Sequence, residues 1–196
     1  MRALGLNIDI LPPDTSDLSA YDLVLIPGLA TLSDNLIKSI AAYQGTILAG
    51  PRTNSKTPEM AIPVPLPPNL PGLDATVVRV ESLPPGINVA LETGGQFIRW
   101  FERLDTNAAT TRTADGHPAI ASAGNLHYLA GWPHPDTFHT LLSDLCAKAN
   151  IATTDLPDGL RQRDTATHRF LFNYAPEAIT FNGTEIPPAG VHWTPL

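Results

Sequence analysis

A chain of 196 residues, 43% hydrophobic and 16% charged, is long enough for one ordinary α/β domain plus a small appendage and can bury a real core. Its net charge of -7 argues against nucleic acid or anionic membrane as a partner, and no apolar run approaches the ~20 residues that span a bilayer. A single cysteine excludes an internal disulfide framework and any multi-cysteine metal site.

Met1-Arg-Ala-Leu-Gly5 lacks the apolar core of a signal peptide, so a cytoplasmic protein is expected. The same residues read as the last turn of a helix ending at a glycine cap, and Asn7–Leu11 as a short strand closed by Pro12-Pro13-Asp14. A helix end followed by a strand is an odd opening for a parallel sheet, which normally begins with a strand feeding that helix.

Leu23–Ile26 is a continuous apolar run without alternation, the pattern of a strand buried on both faces of a parallel sheet. Pro27-Gly28 stops it. Leu36, Ile37, Ile40, Ala41 and Tyr43 recur at helical spacing after an N-cap at Ser33 or Asp34, and Gly45 is expected to end that helix. Thr46–Ala49 is the next strand, ending in Gly50-Pro51-Arg52-Thr53; two βα steps in about fifty residues support a parallel sheet.

Six prolines between Thr57 and Gly72 predict extended, polyproline-like chain lying over a surface, with its leucines and valine packed against something. From Ala75 to Gly131 the pattern is a series of strands: 76–80, 87–91, 96–101, 109–114, 117–122 and 126–130. Asp115-Gly116 and Gly124-Asn125 supply turns of a meander. Phe138, Leu141, Leu142, Leu145, Cys146 and Ala149 then form a helical stripe behind an N-cap at Asp136. Beyond Thr154 the segments 161–163, 168–174, 178–181 and 191–193, with Asn182-Gly183 as a hairpin turn, suit a small antiparallel β unit. The domains expected are therefore 1–154 and 155–196, the second too small to be stable alone.

No catalytic residue, cofactor-binding motif or metal site emerges. Cys146 lies on the apolar stripe of a helix, where a thiol is a small core hydrophobe. His134 and His139 are five apart, unlike the i,i+4 pair that chelates zinc, and no phosphate loop, dinucleotide fingerprint or nucleophile elbow occurs. Of Glu59, Glu81, Glu92, Glu102, Glu177 and Glu185, only Glu102 stands out, behind Trp100-Phe101 and before Arg103; a strand-edge ion pair is the expected role. Trp100, Trp132 and Trp193 are read as core or interface anchors before sugar platforms. Arg52 either binds an anion or pins the proline-rich loop. Asn182-Gly183-Thr184 matches a glycosylation sequon and is read as a turn.

Residues 21–28, the helix to Tyr43 and 45–53 together resemble a class I glutamine-amidotransferase-like, flavodoxin-like sheet. In that family the strand corresponding to Thr46–Ala49 leads into an elbow carrying a nucleophilic cysteine; here the turn reads Gly-Pro-Arg-Thr. Gly50-Pro-Arg-Thr-Asn-Ser-Lys56 is similar to the trimerisation domain of family 42 glycoside hydrolases, the microbial β-galactosidases. The likeness continues collinearly through Leu66-Pro-Pro-Asn-Leu-Pro-Gly72, Val78-Arg-Val-Glu-Ser-Leu-Pro84, Trp100-Phe101-Glu102, Asp115-Gly-His-Pro-Ala-Ile120, Tyr128-Leu-Ala-Gly-Trp-Pro133 and Phe172-Asn-Tyr174. The resemblance implies a homotrimer and a non-catalytic assembly role, since the two catalytic glutamates of the family sit on a (β/α)8 barrel of ~250 residues that cannot fit here. It also implies an amidotransferase-like sheet lacking its first strand, in the C-terminal part of a larger enzyme acting on β-galactosides, with no cofactor. A divergent amidotransferase-like hydrolase and a stand-alone carbohydrate-binding protein are the alternatives.

Overall fold

The computed structural model describes residues 1–196. Two compact units result: Leu11–Leu141, and Met1–Ile10 together with Leu142–Leu196.

In the larger unit, β1 (Leu23–Ile26), α1 (Asp34–Ala42) and β2 (Thr46–Ala49) form a βαβ step. The two strands are parallel, Leu23 opposite Thr46 and Ile26 opposite Ala49. Ser33 is the N-cap, its Oγ accepting from the Leu36 amide at 3.2 Å. The helix does not end at a glycine: its C-cap is Tyr43, in extended conformation. Gly45 has a different purpose. The Tyr43 hydroxyl donates to the Tyr21 carbonyl at 2.6 Å, and a Cβ on residue 45 would collide with the phenol.

The following strands are β3 (Thr76–Ser82), β4 (Asn88–Ala90), β5 (Gln96–Asp105), β6 (Ala109–Arg112), β7 (Pro118–Ala123), β8 (Leu126–Leu129) and β9 (Gly131–Pro133). They divide between two sheets. One has the order β1-β2-β8-β7-β6 and is mixed: β8 pairs parallel with β2, whereas β7 and β6 run antiparallel. The tight turns at Gly116 and Gly124, both at positive φ, allow only antiparallel neighbours, which is why the sheet is not parallel throughout. The other sheet is antiparallel, with β5 pairing β3, β4 and β9. Both sheets feed one core, in which Ile47, Ala49, Phe97, Phe101 and Tyr128 are inaccessible to solvent.

The proline-rich stretch behaves as extended chain only in part as expected. Leu70 and Leu73 are buried, but Met60, Ile62, Val64 and Leu66 are exposed. α2 (Pro135–Lys148) begins one residue before the expected cap. Proline at the first position needs no amide partner, and the His134 Nδ1 accepts from the Asp136 amide at 3.3 Å, so the imidazole takes the capping role.

The smaller unit contains β10 (Leu160–Asp164), β11 (His168–Asn173), β12 (Ile179–Phe181), β13 (Thr184–Ile186) and β14 (Val191–Pro195), all antiparallel, ordered β10-β11-β14 with a separate β12-β13 hairpin. Asn182 and Gly183, at φ 47° and 78°, make the hairpin turn. Leu156, Leu160, Leu171 and Ile186 form its core. At the amino terminus a 3₁₀ turn over Arg2–Leu4 ends at left-handed Gly5. Asn7–Leu11 is not a strand. Its links to β10 run through side chains: Asn7 exchanges hydrogen bonds with the Asp164 backbone, and Arg163 donates to the Ile8 carbonyl and pairs with Asp9. No backbone ladder forms.

Candidate functional site

Open α/β sheets place their sites outside the carboxyl ends of the parallel strands. Here that region is built from the loops after β1 and β2. Ile26, the last residue of β1, offers its carbonyl to the Gly28 and Gly50 amides, both at 2.8 Å, and to the Thr53 hydroxyl at 3.3 Å. Gly28 is at φ 80°, and a Cβ there would lie 2.8 Å from the Pro51 carbonyl oxygen, so this close approach requires glycine. The Asn54 and Lys56 amides donate to the Leu29 and Ala30 carbonyls, and Asn54 Nδ2 to the Pro68 carbonyl at 3.1 Å. Asn54, not Arg52, therefore pins the proline-rich segment.

Arg52 stands at the apex with φ 68°, a conformation uncommon for a residue with a Cβ. A buried carboxylate holds it there. Glu102, 2% exposed, receives the Arg52 amide and the Trp100 indole N–H on Oε1, both at 3.0 Å, and the Tyr128 hydroxyl on Oε2 at 2.5 Å. Trp100 and Glu102 are two apart on β5 and so share a face of the strand. The Arg52 guanidinium lies over the Trp100 ring of the same network, 5.1 Å from its centroid.

Burial pushes the Glu102 carboxyl above its usual range, opposed by the bonds from Tyr128, Trp100 and Arg52 and by the Arg52 charge. Burial, then the neighbouring Glu102, hold the Tyr128 phenol well above its own range, so it remains a donor. Glu102 is thus not the strand-edge ion pair expected. That role falls to Glu81, which pairs with Arg79 at 3.3 Å and Arg103 at 3.0 Å.

The arrangement lacks a nucleophile. Pro51-Arg52 occupies the elbow, and the buried Thr53 hydroxyl is engaged by the Gly50 and Ile26 carbonyls. Cys146 is inaccessible on α2, and burial raises its thiol pKa, opposite to what a reactive cysteine needs. His134 is tied to Asp136 at 3.4 Å. No group of three or more His, Cys, Asp or Glu side chains is placed to hold a metal ion. Trp132 and Trp193 are exposed, unlike the half-buried Trp100. Sequence reasoning singled out Arg52, Trp100 and Glu102 separately but missed Tyr128 and the link among them; the only local signal was Trp-x-Glu, two residues on one strand face.

Residues 1–152 match the family model described as the β-galactosidase trimerisation domain. This chain belongs to that family. The β-galactosidase of Thermus thermophilus is 39% identical over 191 residues, a match covering 94% of this chain and 30% of that protein. Among solved structures, the β-galactosidase of the psychrophilic Marinomonas ef1 superposes with a TM-score of 0.89 at 31% identity, over 98% of this chain and 32% of that one. The β-galactosidase of the Antarctic haloarchaeon Halorubrum lacusprofundi superposes at 0.80 with 29% identity, over 99% and 34%. The trimerisation domain and the β strands after it thus span about a third of the length of the relatives they match.

Proposed function

We propose that this chain is a non-catalytic assembly module of a β-galactosidase-like glycoside hydrolase that forms a homotrimer. Hydrolysis of terminal β-galactosides belongs to a catalytic barrel outside these residues. The observation that carries the reading is the family match over residues 1–152. On this reading 1–154 is a flavodoxin-like, amidotransferase-like domain, a view supported by the parallel β1-α1-β2 step, and 155–196 is a small β domain. The protein is cytoplasmic and requires no cofactor.

The exposed cluster of Met60, Ile62, Val64 and Leu66, at alternate positions of the proline-rich segment and 44–93% accessible, supports a subunit contact. Replacing Ile62 and Val64 together by glutamate is expected to convert the assembly to monomer without changing the thermal midpoint of the monomer. An unaltered oligomer would remove this segment from the interface. The isolated chain is also expected to release no nitrophenol from a nitrophenyl β-galactoside; turnover by purified chain would overturn the non-catalytic reading.

A stand-alone carbohydrate-binding role is the second reading, favoured by the 43% and 55% exposure of Trp132 and Trp193. Unchanged tryptophan fluorescence on titration with galactose or lactose would dismiss it. An amidotransferase-like hydrolase is not retained, because Cys146 is inaccessible.

A further inference from the structure

We propose that Arg52 and Trp100 form a carboxylate-binding site at the carboxyl ends of β1 and β2. Three observations carry it. Arg52 is held in a left-handed conformation by a buried acid, and the only group this network presents to solvent beside the indole is the guanidinium. Arg79, Arg103, Arg163 and Arg169 are ion-paired, whereas the Arg52 guanidinium makes no salt bridge: it lies over the Trp100 ring, and its charge acts on the buried Glu102. The alternative task, pinning the proline-rich segment, is performed by Asn54.

The chemistry favours a carboxylate. A guanidinium over an aromatic face makes no hydrogen bond to the ring, and its N–H donors match two carboxylate oxygens in a planar, bidentate fashion. Contact with the Trp100 ring pre-organises the guanidinium and lowers the side-chain ordering that binding requires. Glu102 below is sealed from solvent with both oxygens occupied, so it positions Arg52 without competing for its outer donors. The carboxylate has two sources: a free small acid, or an Asp or Glu side chain of a second copy of this chain. The second source rests on the assembly reading above.

The test is NMR titration of isotopically labelled chain with sodium acetate against sodium chloride at equal ionic strength. The Arg52 Nε–H and Trp100 indole N–H signals are followed, with exposed Arg99 as internal control. Saturable shifts at Arg52 and Trp100, at acetate concentrations that leave Arg99 unmoved, are expected. Arg52→Gln, which retains the backbone strain but removes the charge, weakens binding about tenfold or more, and Arg52→Lys falls between. If acetate produces no shift but Arg52→Gln weakens self-association about tenfold by light scattering, the carboxylate comes from the second copy. If neither acetate binding nor self-association depends on Arg52, the proposal is wrong. A wild type that binds acetate but stays monomeric overturns the self-assembly reading alone and leaves this site standing.

Discussion

Glu102 sits in the interior of the larger unit with three donors converging on its two oxygens. Replacing it by alanine would leave the Tyr128 hydroxyl, the Trp100 indole and the Arg52 amide without an acceptor. Glu102→Ala is therefore expected to destabilise by about 3 kcal/mol or more, and Glu102→Gln by about 1–2 kcal/mol, read from urea unfolding. A loss below 1 kcal/mol for the alanine variant would show that the network relaxes easily. The same residue confers a pH dependence. Its carboxyl is pushed above the ordinary range on folding, so the folded state takes up this proton first. The contribution of Glu102 to stability is full at pH below its unfolded pKa, ~4.3, and declines as pH rises through the higher folded value. Glu102→Gln should flatten that part of the urea-midpoint profile. Superimposable slopes for wild type and variant would contradict the shift.

At the scale of elements, one side chain ties together most of the smaller unit. Asn173, 3% exposed at the end of β11, donates from Nδ2 to the carbonyls of Glu177 at 2.7 Å, Ile186 at 3.1 Å and Pro187 at 3.0 Å. Its Oδ1 accepts from the Ala175 amide at 2.8 Å. It thereby fixes both ends of the β12-β13 hairpin to β11. Asn173→Ala is expected to destabilise this unit by about 2–4 kcal/mol. Amide exchange should quicken at β12 and β13 while β1 and β2 hold their protection; uniform exchange across the chain would refute a local role. The hairpin itself was legible from Asn182-Gly183, because a two-residue turn is encoded by its own residues. The role of Asn173 was not, because its acceptors lie up to 14 residues away. The same contrast explains α2 and Asn7–Leu11. Asp136 looked like a cap by residue type, yet Pro135 and His134 start the helix. Asn7–Leu11 had a strand-like pattern, but its partners are the side chains of Arg163 and Asn7 itself bonding to backbone, not a ladder.

Across the whole molecule, continuous apolar runs identified β1 and β2, although only β2 is buried along most of its length; β1 lies at the sheet edge and is half-buried at Leu23, Val24 and Leu25. The residue pattern likewise located most of the later strands within a few residues, but not β9 or β13. It did not distribute them between two sheets, since a period of two specifies which face is buried and not which strand lies alongside. The family was legible from collinear motifs covering nearly the entire chain, whereas the Arg52–Trp100–Glu102–Tyr128 network was not: it joins a loop, β5 and β8 through contacts 26 and 50 residues apart. The central claim is that these residues carry assembly information of their own. The direct test is solution mass by light scattering across a concentration series. With one chain at 21.0 kDa, a self-sufficient trimer has a mass of about 63 kDa, three times that of one chain, and this is the value expected at high concentration. A mass that stays at that of a single chain throughout the series would contradict self-sufficient trimerisation.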